Sequence, residues 1–365
     1  MKKTERNYTL DFLKFIFSVI VVLYHSTSMA RDKSEYIFIN GRIGVEFFFI
    51  VSGCLMCASA MKANSQELTL GVDTFQFIKR KIFSFLPNFI IAYIIAFAVY
   101  HYNAGITSIR TMGENLIHTL PDLLLIKNSG IKAFSYNGVT WYLSAMILGM
   151  AVLYPLIRKF KDTFFCIIAP LGFLSLMGYL FQNFGSLSNL EQWNGFMMKG
   201  TIRAIADMLG GCICYFFAVK LKQYKFTPPA KFLFTALEWG CYLFSILFIF
   251  DHKSSRYDYF IFLLFMIGVT ITYAQISYDS IIFKHRFFGW LGTYSLSLYL
   301  GHSYWRKYNS NIFPKHWDFN NKLTAYLILS VVTSLFIMYT SIGLRKFWKT
   351  HGHKIRACFI KNTTE

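Results

Sequence analysis

Apolar residues along the chain fall into blocks about 20 long, separated by short polar and basic stretches. A block of that length, wound at about 1.5 Å per residue, crosses ~30 Å of hydrocarbon. Inside lipid every backbone N–H and C=O must be bonded within the chain, and runs this long suit helices better than barrel strands. The pattern predicts about ten spans, at 9–28, 43–61, 82–102, 139–158, 163–182, 201–219, 232–250, 258–276, 287–305 and 323–344. The stretch Asn115–Ile126 is too short to cross, and Pro121 interrupts it. It is expected at the interface or folded back into the bundle. No internal repeat, low-complexity stretch or linker divides the chain. The expected fold is therefore an all-α polytopic bundle forming one domain over residues 1–365, with its core at about 9–344 and a basic tail at 345–365.

Composition agrees. The chain is 55% hydrophobic and 15% charged, against roughly a quarter charged in soluble domains, so no separate soluble core remains. The net charge of +19 could suggest nucleic acid. The Lys and Arg residues instead sit at the ends of apolar blocks, which suits orientation in a membrane and contact with anionic lipid or ligand. With the N-terminus inside, 22 of the 37 basic residues fall in the N-terminus, the even-numbered loops and the tail, and 13 in the odd-numbered loops. Both termini are thus expected in the cytoplasm and the protein in the cytoplasmic membrane. Met1-Lys2-Lys3 is basic and precedes an apolar run, but no small-residue cleavage pattern closes that run, so the first span is expected to stay. Cys54-x-x-Cys57 has metal-like spacing without a second ligand pair. The seven cysteines read as small apolar residues, and no metal is expected.

Charge at membrane depth is costly and marks candidate sites. The first span holds Lys14 and His25, eleven residues apart. Three helical turns put them on one face, ~16 Å apart along the axis, a separation similar to the reach of an extended pantetheine arm. A cation near the cytoplasmic end could hold an anionic carrier while an imidazole further out moves a proton. Alternatively, Lys14 snorkels to the interface and His25 caps the outer end. Glu46 lies a short way into the second span, at roughly the depth of His25, and could orient the imidazole; its other reading is an ion pair with Arg42. Arg203 and Asp207 are four apart in the sixth span and form either an intrahelical pair or a polar cavity wall. His302, three residues after Tyr299, closes the ninth span near the outer surface and reads equally as an interfacial histidine or as lining of an acceptor entrance. Trp141 and Tyr142 read as part of an interfacial aromatic belt or as a sugar platform.

The stretches "LDFLKFIFSVIVVLYH" and "GRIGVEFFFIVSGCLM" resemble acyltransferase family 3 of integral membrane proteins. Three further blocks share the likeness: "FQFIKRKIFSFLPNFIIAY", "TWYLSAMILGMAVLYPL" and "WLGTYSLSLYLGH". The likeness runs from Leu10 to about Leu344. It implies a catalytic part for His25, with Lys14 as the basic partner before it. Lys79, Arg80 and Lys81 stand where relatives carry an arginine-rich cluster associated with the acyl-CoA donor, and three cations suit coenzyme A phosphates. Two positions depart from the family pattern. Met146 stands where many members have a carboxylate after the tryptophan, which would pass that acid's role to Glu46. The cluster is also Lys-Arg-Lys rather than mostly Arg.

The resemblance implies an enzyme with acyl-CoA as co-substrate and no permanently bound cofactor. It would move an acyl group, most often acetyl, to a hydroxyl of a cell-surface or lipid-linked glycan. His25 would either deprotonate the acceptor or first accept the acyl group itself. A transporter or flippase would also bury charges in such a bundle, but would often show two related halves, and none is visible.

Overall fold

The computed structural model describes residues 6–63, 69–131, 133–187, 192–308 and 311–361, with the backbone alone for 352–361. Met1-Lys2-Lys3 and the side chains of Lys354, Arg356, Cys358 and Lys361 lie outside the described residues. Ten principal helices follow one another: α1 Tyr8–Ser26, α2 Gly44–Lys62, α3 Leu70–Asn103, α4 Trp141–Phe160, α5 Ala169–Phe184, α6 Lys199–Leu221, α7 Pro228–Asp251, α8 Asp258–Ala274, α9 Arg286–Gly301 and α10 Phe319–Lys361. A π-helical turn, Phe164–Ile168, leads into α5. Among the described residues there is no strand, only an isolated bridge between Trp193 and Met198.

Eight of these helices are long and apolar enough to cross a membrane. The other two, α8 with 17 residues and α9 with 16, fall short of the spans expected for them. The third helix begins at Leu70, well before residue 82, and its first turns carry Asp73, Gln76, Lys79, Arg80 and Lys81 among apolar residues, so they do not read as part of a lipid-length run. The stretch around Pro121 folds as two short helices, Ile109–His118 and Leu120–Leu123. Thr119 and Asp122 are buried there while Ile117 and Leu124 face outward.

Hydrogen bonds between helix ends fix the direction of each helix. Asn7, before α1, donates to the Thr272 carbonyl near the end of α8 (2.8 Å), and Lys222, after α6, donates to Gln275, after α8 (3.1 Å). Arg158 near the end of α4 meets Asp73 in the first turn of α3 (2.7 Å), and Arg345 of α10 donates to the Ser84 carbonyl of α3 (2.7 Å). These contacts define one end of the bundle, termed the N-terminal end. At the opposite end Asn40 donates to Asp258 at the start of α8 (2.8 Å), and Asn137 to the Leu300 carbonyl at the end of α9 (2.8 Å). Helices α8 and α9 therefore run from one end to the other despite their length.

The pairs α1–α9 and α2–α6 approach closely because glycines stand at their crossings. A Cβ at Gly211 would fall on the Ile50 carbonyl, one at Gly53 on the Met208 backbone, and one at Gly292 on the Asp11 side chain.

Candidate active site

At the N-terminal end, Asn7 caps α1 by accepting from the Leu10 amide (3.0 Å). Asp11, 5% exposed, is bound by Arg6 on one side and by Lys14 on the other (3.3 Å). That carboxylate holds the Lys14 ammonium at the helix start. A cleft of about 580 Å³ opens here, and Arg6, Lys14, Lys62 and Lys222 give it a cationic rim. A second cavity of about 220 Å³ shares Lys14 and Leu55 with it and leads inward past Ser18, Ser52 and Tyr142 to Tyr299. Lys81 lines this inner cavity. Lys79 and Arg80 are exposed on α3 and lie outside both spaces. The basic triplet is thus split, with only Lys81 turned inward.

The inner cavity ends at aromatic side chains. Tyr142 shares a hydrogen bond with Ser52 (3.1 Å), so it belongs to this lining rather than to an interfacial belt. Tyr299 donates to the Val139 carbonyl (3.1 Å), and its ring centre lies 6.0 Å from that of His302. His302 is fully buried and lies edge to edge with the His25 ring, with centres 5.0 Å apart and planes 20° from parallel. The Nε2 atom of His302 is 2.8 Å from Nδ1 of His25, and its Nδ1 is 3.1 Å from the Leu298 carbonyl.

That chain assigns the protons in the neutral pair. A carbonyl oxygen can only accept, so His302 carries its proton on Nδ1 and offers the Nε2 lone pair. His25 then donates from Nδ1, and its own Nε2 is left as an unprotonated base. Sequence left His302 open between an entrance and a plain interfacial position; the structure places it against His25.

Glu46 does not orient His25, contrary to the expectation from its depth. Both Glu46 and Arg203 are fully buried, and the Glu46 carboxylate bonds the Arg203 guanidinium. Arg203 also donates to the Leu187 carbonyl (2.9 Å), while its Nε lies 3.9 Å from Asp207. The pairing of Glu46 with Arg42 is absent too, since the Arg42 Nε donates to Asn40 (3.2 Å). The Arg203 guanidinium sits 5.7 Å from the Trp141 ring centre, which makes Trp141 a wall of this ionic cluster. Met146, in the position of the missing acid, is buried and its sulfur accepts from Ser52 (3.5 Å).

Several lining residues escaped the sequence reading: Arg6, Asp11, Ser18, Ser52 and Lys222. Asp11 and Ser52 had a visible signal, as the acid of the Leu-Asp pair opening the first motif and the serine of the Ser-Gly pair closing the second. Cys54, Cys57, Cys212, Cys214 and Cys241 are buried free thiols, and Cys166 is an exposed one.

The model of the acyltransferase domain of family 3 matches residues 7–341. That range takes in the cationic rim except Arg6, the tyrosine-lined cavity and the histidine pair. No curated protein matches the chain, and no solved structure does.

Proposed function

The chain belongs to acyltransferase family 3, and from that membership we propose an acyl-CoA-dependent O-acyltransferase of the cytoplasmic membrane. It takes an acyl group, acetyl in the simplest case, at the N-terminal end and passes it to a hydroxyl of a cell-surface or lipid-linked glycan. The observation that carries the reading is a cationic rim joined through Lys14 and Leu55 to a narrow inner cavity that ends at Tyr299, whose ring centre lies 6.0 Å from that of His302 in the histidine pair.

The excess of basic residues at the N-terminal end supports a cytoplasmic orientation for that end, and CoA thioesters are cytoplasmic. The phosphates suit Arg6, Lys14, Lys62 and Lys222, because ammonium and guanidinium groups make charge-assisted bonds to phosphate. Lys14 and His25 stand ~16 Å apart on one helix, which lets the pantetheine arm run inward past Ser18 and Ser52. The thioester would then meet the acceptor beside Tyr299 and His25.

In direct transfer, His25 Nε2 takes the hydroxyl proton as the oxygen forms its bond to the thioester carbonyl carbon. The C–S bond breaks, and the departing thiolate takes that proton back from Nε2. His302 keeps Nδ1–H of His25 engaged throughout, so the reacting nitrogen does not change identity. In a relay, Nε2 itself forms the C–N bond as the C–S bond breaks and the thiolate leaves. The acceptor oxygen then bonds the acyl carbon, the C–N bond breaks, and the hydroxyl proton goes to the thiolate.

The test uses sealed vesicles containing the full chain, acetyl-labelled acetyl-CoA on the N-terminal side and a glycan extract on the other. Label is expected in the glycan, and His25→Ala is expected to abolish it. Undiminished transfer by folded His25→Ala protein would remove His25 from catalysis. Passage of the glycan across the vesicle wall without label would replace transfer with transport.

A further inference from the structure

Three aromatic rings from three helices close the inner cavity. Phe48 of α2, Tyr142 of α4 and Tyr299 of α9 all line it. The Phe48 ring centre lies 6.1 Å from that of Tyr142 and 6.0 Å from that of Tyr299, and the two tyrosine rings are 5.7 Å apart. The planes meet at 65° to 68°, so each pair sits edge to face, the arrangement that aromatic quadrupoles favour. Tyr142 and Tyr299 are buried and Phe48 is half-buried.

Two of the three rings are tied at their far ends. The Tyr142 hydroxyl shares a bond with Ser52 (3.1 Å) and lies 3.4 Å from the Phe48 carbonyl. The Tyr299 hydroxyl donates to the Val139 carbonyl (3.1 Å). Swinging either ring aside would leave a buried hydroxyl without its partner, which is costly. Tyr142 is also backed by Phe49, whose ring centre is 4.6 Å away. One turn further along α4, Met146 is buried and takes a hydrogen bond from Ser52 (3.5 Å), so the serine is engaged on that side too. The trio is therefore a fixed wall rather than a loose flap.

The space in front of this wall is small. Its volume is about 220 Å³, below the ~300 Å³ at which pockets for small molecules begin. A pantetheine arm entering past Lys14 and Ser18 uses most of that length. With the thioester carbon beside Tyr299, the acyl tail is the part that meets the rings. Val51 and Leu296 complete the apolar lining there.

We propose that Phe48, Tyr142 and Tyr299 form a stop that measures the acyl chain, admitting acetyl and turning away butyryl and longer groups. The proposal rests on the acyl-transfer reading and names the donor class and the residues that select it. Phe48 and Tyr142 act by shape, since a tail of added methylenes has to displace a ring that is packed on every side.

The test compares acetyl-, butyryl- and hexanoyl-CoA on the purified full chain. Equilibrium binding is measured without acceptor, and transfer of the labelled acyl group to the glycan extract is measured in vesicles. Affinity and kcat/KM are expected to fall at least roughly tenfold from acetyl to butyryl, and further to hexanoyl, as added methylenes do in a closed apolar pocket. Phe48→Ala and Tyr142→Ala each remove one ring, from different helices, and should bring butyryl-CoA to within about threefold of acetyl-CoA. Either variant suffices if the other does not fold. Tyr142→Phe keeps the ring and should keep most of the preference. Equal use of the three donors by the unaltered chain overturns the stop, and so does a preference that survives both alanine substitutions. Transfer of all three chain lengths alike defeats the stop and leaves the transferase. Ring-dependent discrimination in binding, with no His25-dependent transfer, defeats the transferase and leaves the stop. Failure of all three donors to bind overturns both.

Discussion

His25 and His302 sit 277 residues apart in sequence and 2.8 Å apart in space, and their shared bond selects which nitrogen of His25 carries the proton. Removing His302 frees the ring to rotate and to take the wrong tautomer. His302→Ala is expected to lower kcat roughly 100-fold, within the range for losing general-base function. Its KM for acetyl-CoA should change by less than about twofold, because His302 lies beyond the donor cleft. His302→Gln retains a carbonyl that can accept from His25 Nδ1 and should recover part of the loss. An alanine variant with wild-type kcat would show that the pair is only packing.

The ionic cluster of Glu46, Arg203 and Asp207 makes a different prediction. All three side chains are fully buried, so removing one leaves an uncompensated charge in a medium of low polarity. Arg203→Met should cost about 3–5 kcal/mol, seen as a large drop in thermal midpoint and in yield. Glu46→Gln should cost less, since Asp207 remains 3.9 Å from the guanidinium, and its folded fraction should keep kcat. A Glu46→Gln protein of unchanged stability but about 100-fold lower kcat would return Glu46 to the reaction.

These two pairs show what a sequence displays and what it hides. Spacing reveals partners one helical turn apart, so Glu46 suggested Arg42 and Arg203 suggested Asp207. The folded chain joins Glu46 to Arg203 across 157 residues, because α2 and α6 cross closely at Gly53 and Gly211. Nothing in either helix's own period states which neighbour it will meet. Apolar run length did reveal the helices, and the three-turn spacing put Lys14 and His25 on one of them. It misjudged α3, whose start at Leu70 is broken by Asp73, Gln76, Lys79, Arg80 and Lys81 and has no lipid-length signature.

The glycine crossings invite a paired comparison. At Gly211 a methyl group would meet the Ile50 carbonyl, which is helix backbone and cannot move without parting α2 from α6. At Gly149 the obstacle is the terminal methyl of Met208, a flexible side chain. Gly211→Ala is therefore expected to destabilise the protein by about 1–3 kcal/mol, the cost of overpacking, while Gly149→Ala stays within about 1 kcal/mol. Thermal unfolding in detergent checks both, and equal midpoints for the two variants would contradict the close crossing.

The basic triplet of α3 separates donor binding from general positive charge. Lys14 and Lys81 line the same inner cavity, whereas Lys79 and Arg80 are exposed outside it. If charge alone attracted the donor, each substitution would act alike and salt would erase all the effects. If the cavity holds the donor, position decides. Lys14→Gln and Lys81→Gln should each raise KM for acetyl-CoA roughly tenfold, the worth of one charge-assisted contact, with kcat nearly kept. Lys79→Gln and Arg80→Gln should shift it less than about twofold, as exposed charges do. Lys14 carries a second consequence, because its ammonium also neutralises Asp11 beneath Gly292. Lys14→Gln should therefore lose some stability as well, and Asp11→Asn in the same chain should restore stability without restoring KM. Recovery of KM in that double variant would make Lys14 a partner of Asp11 alone and remove it from the donor site.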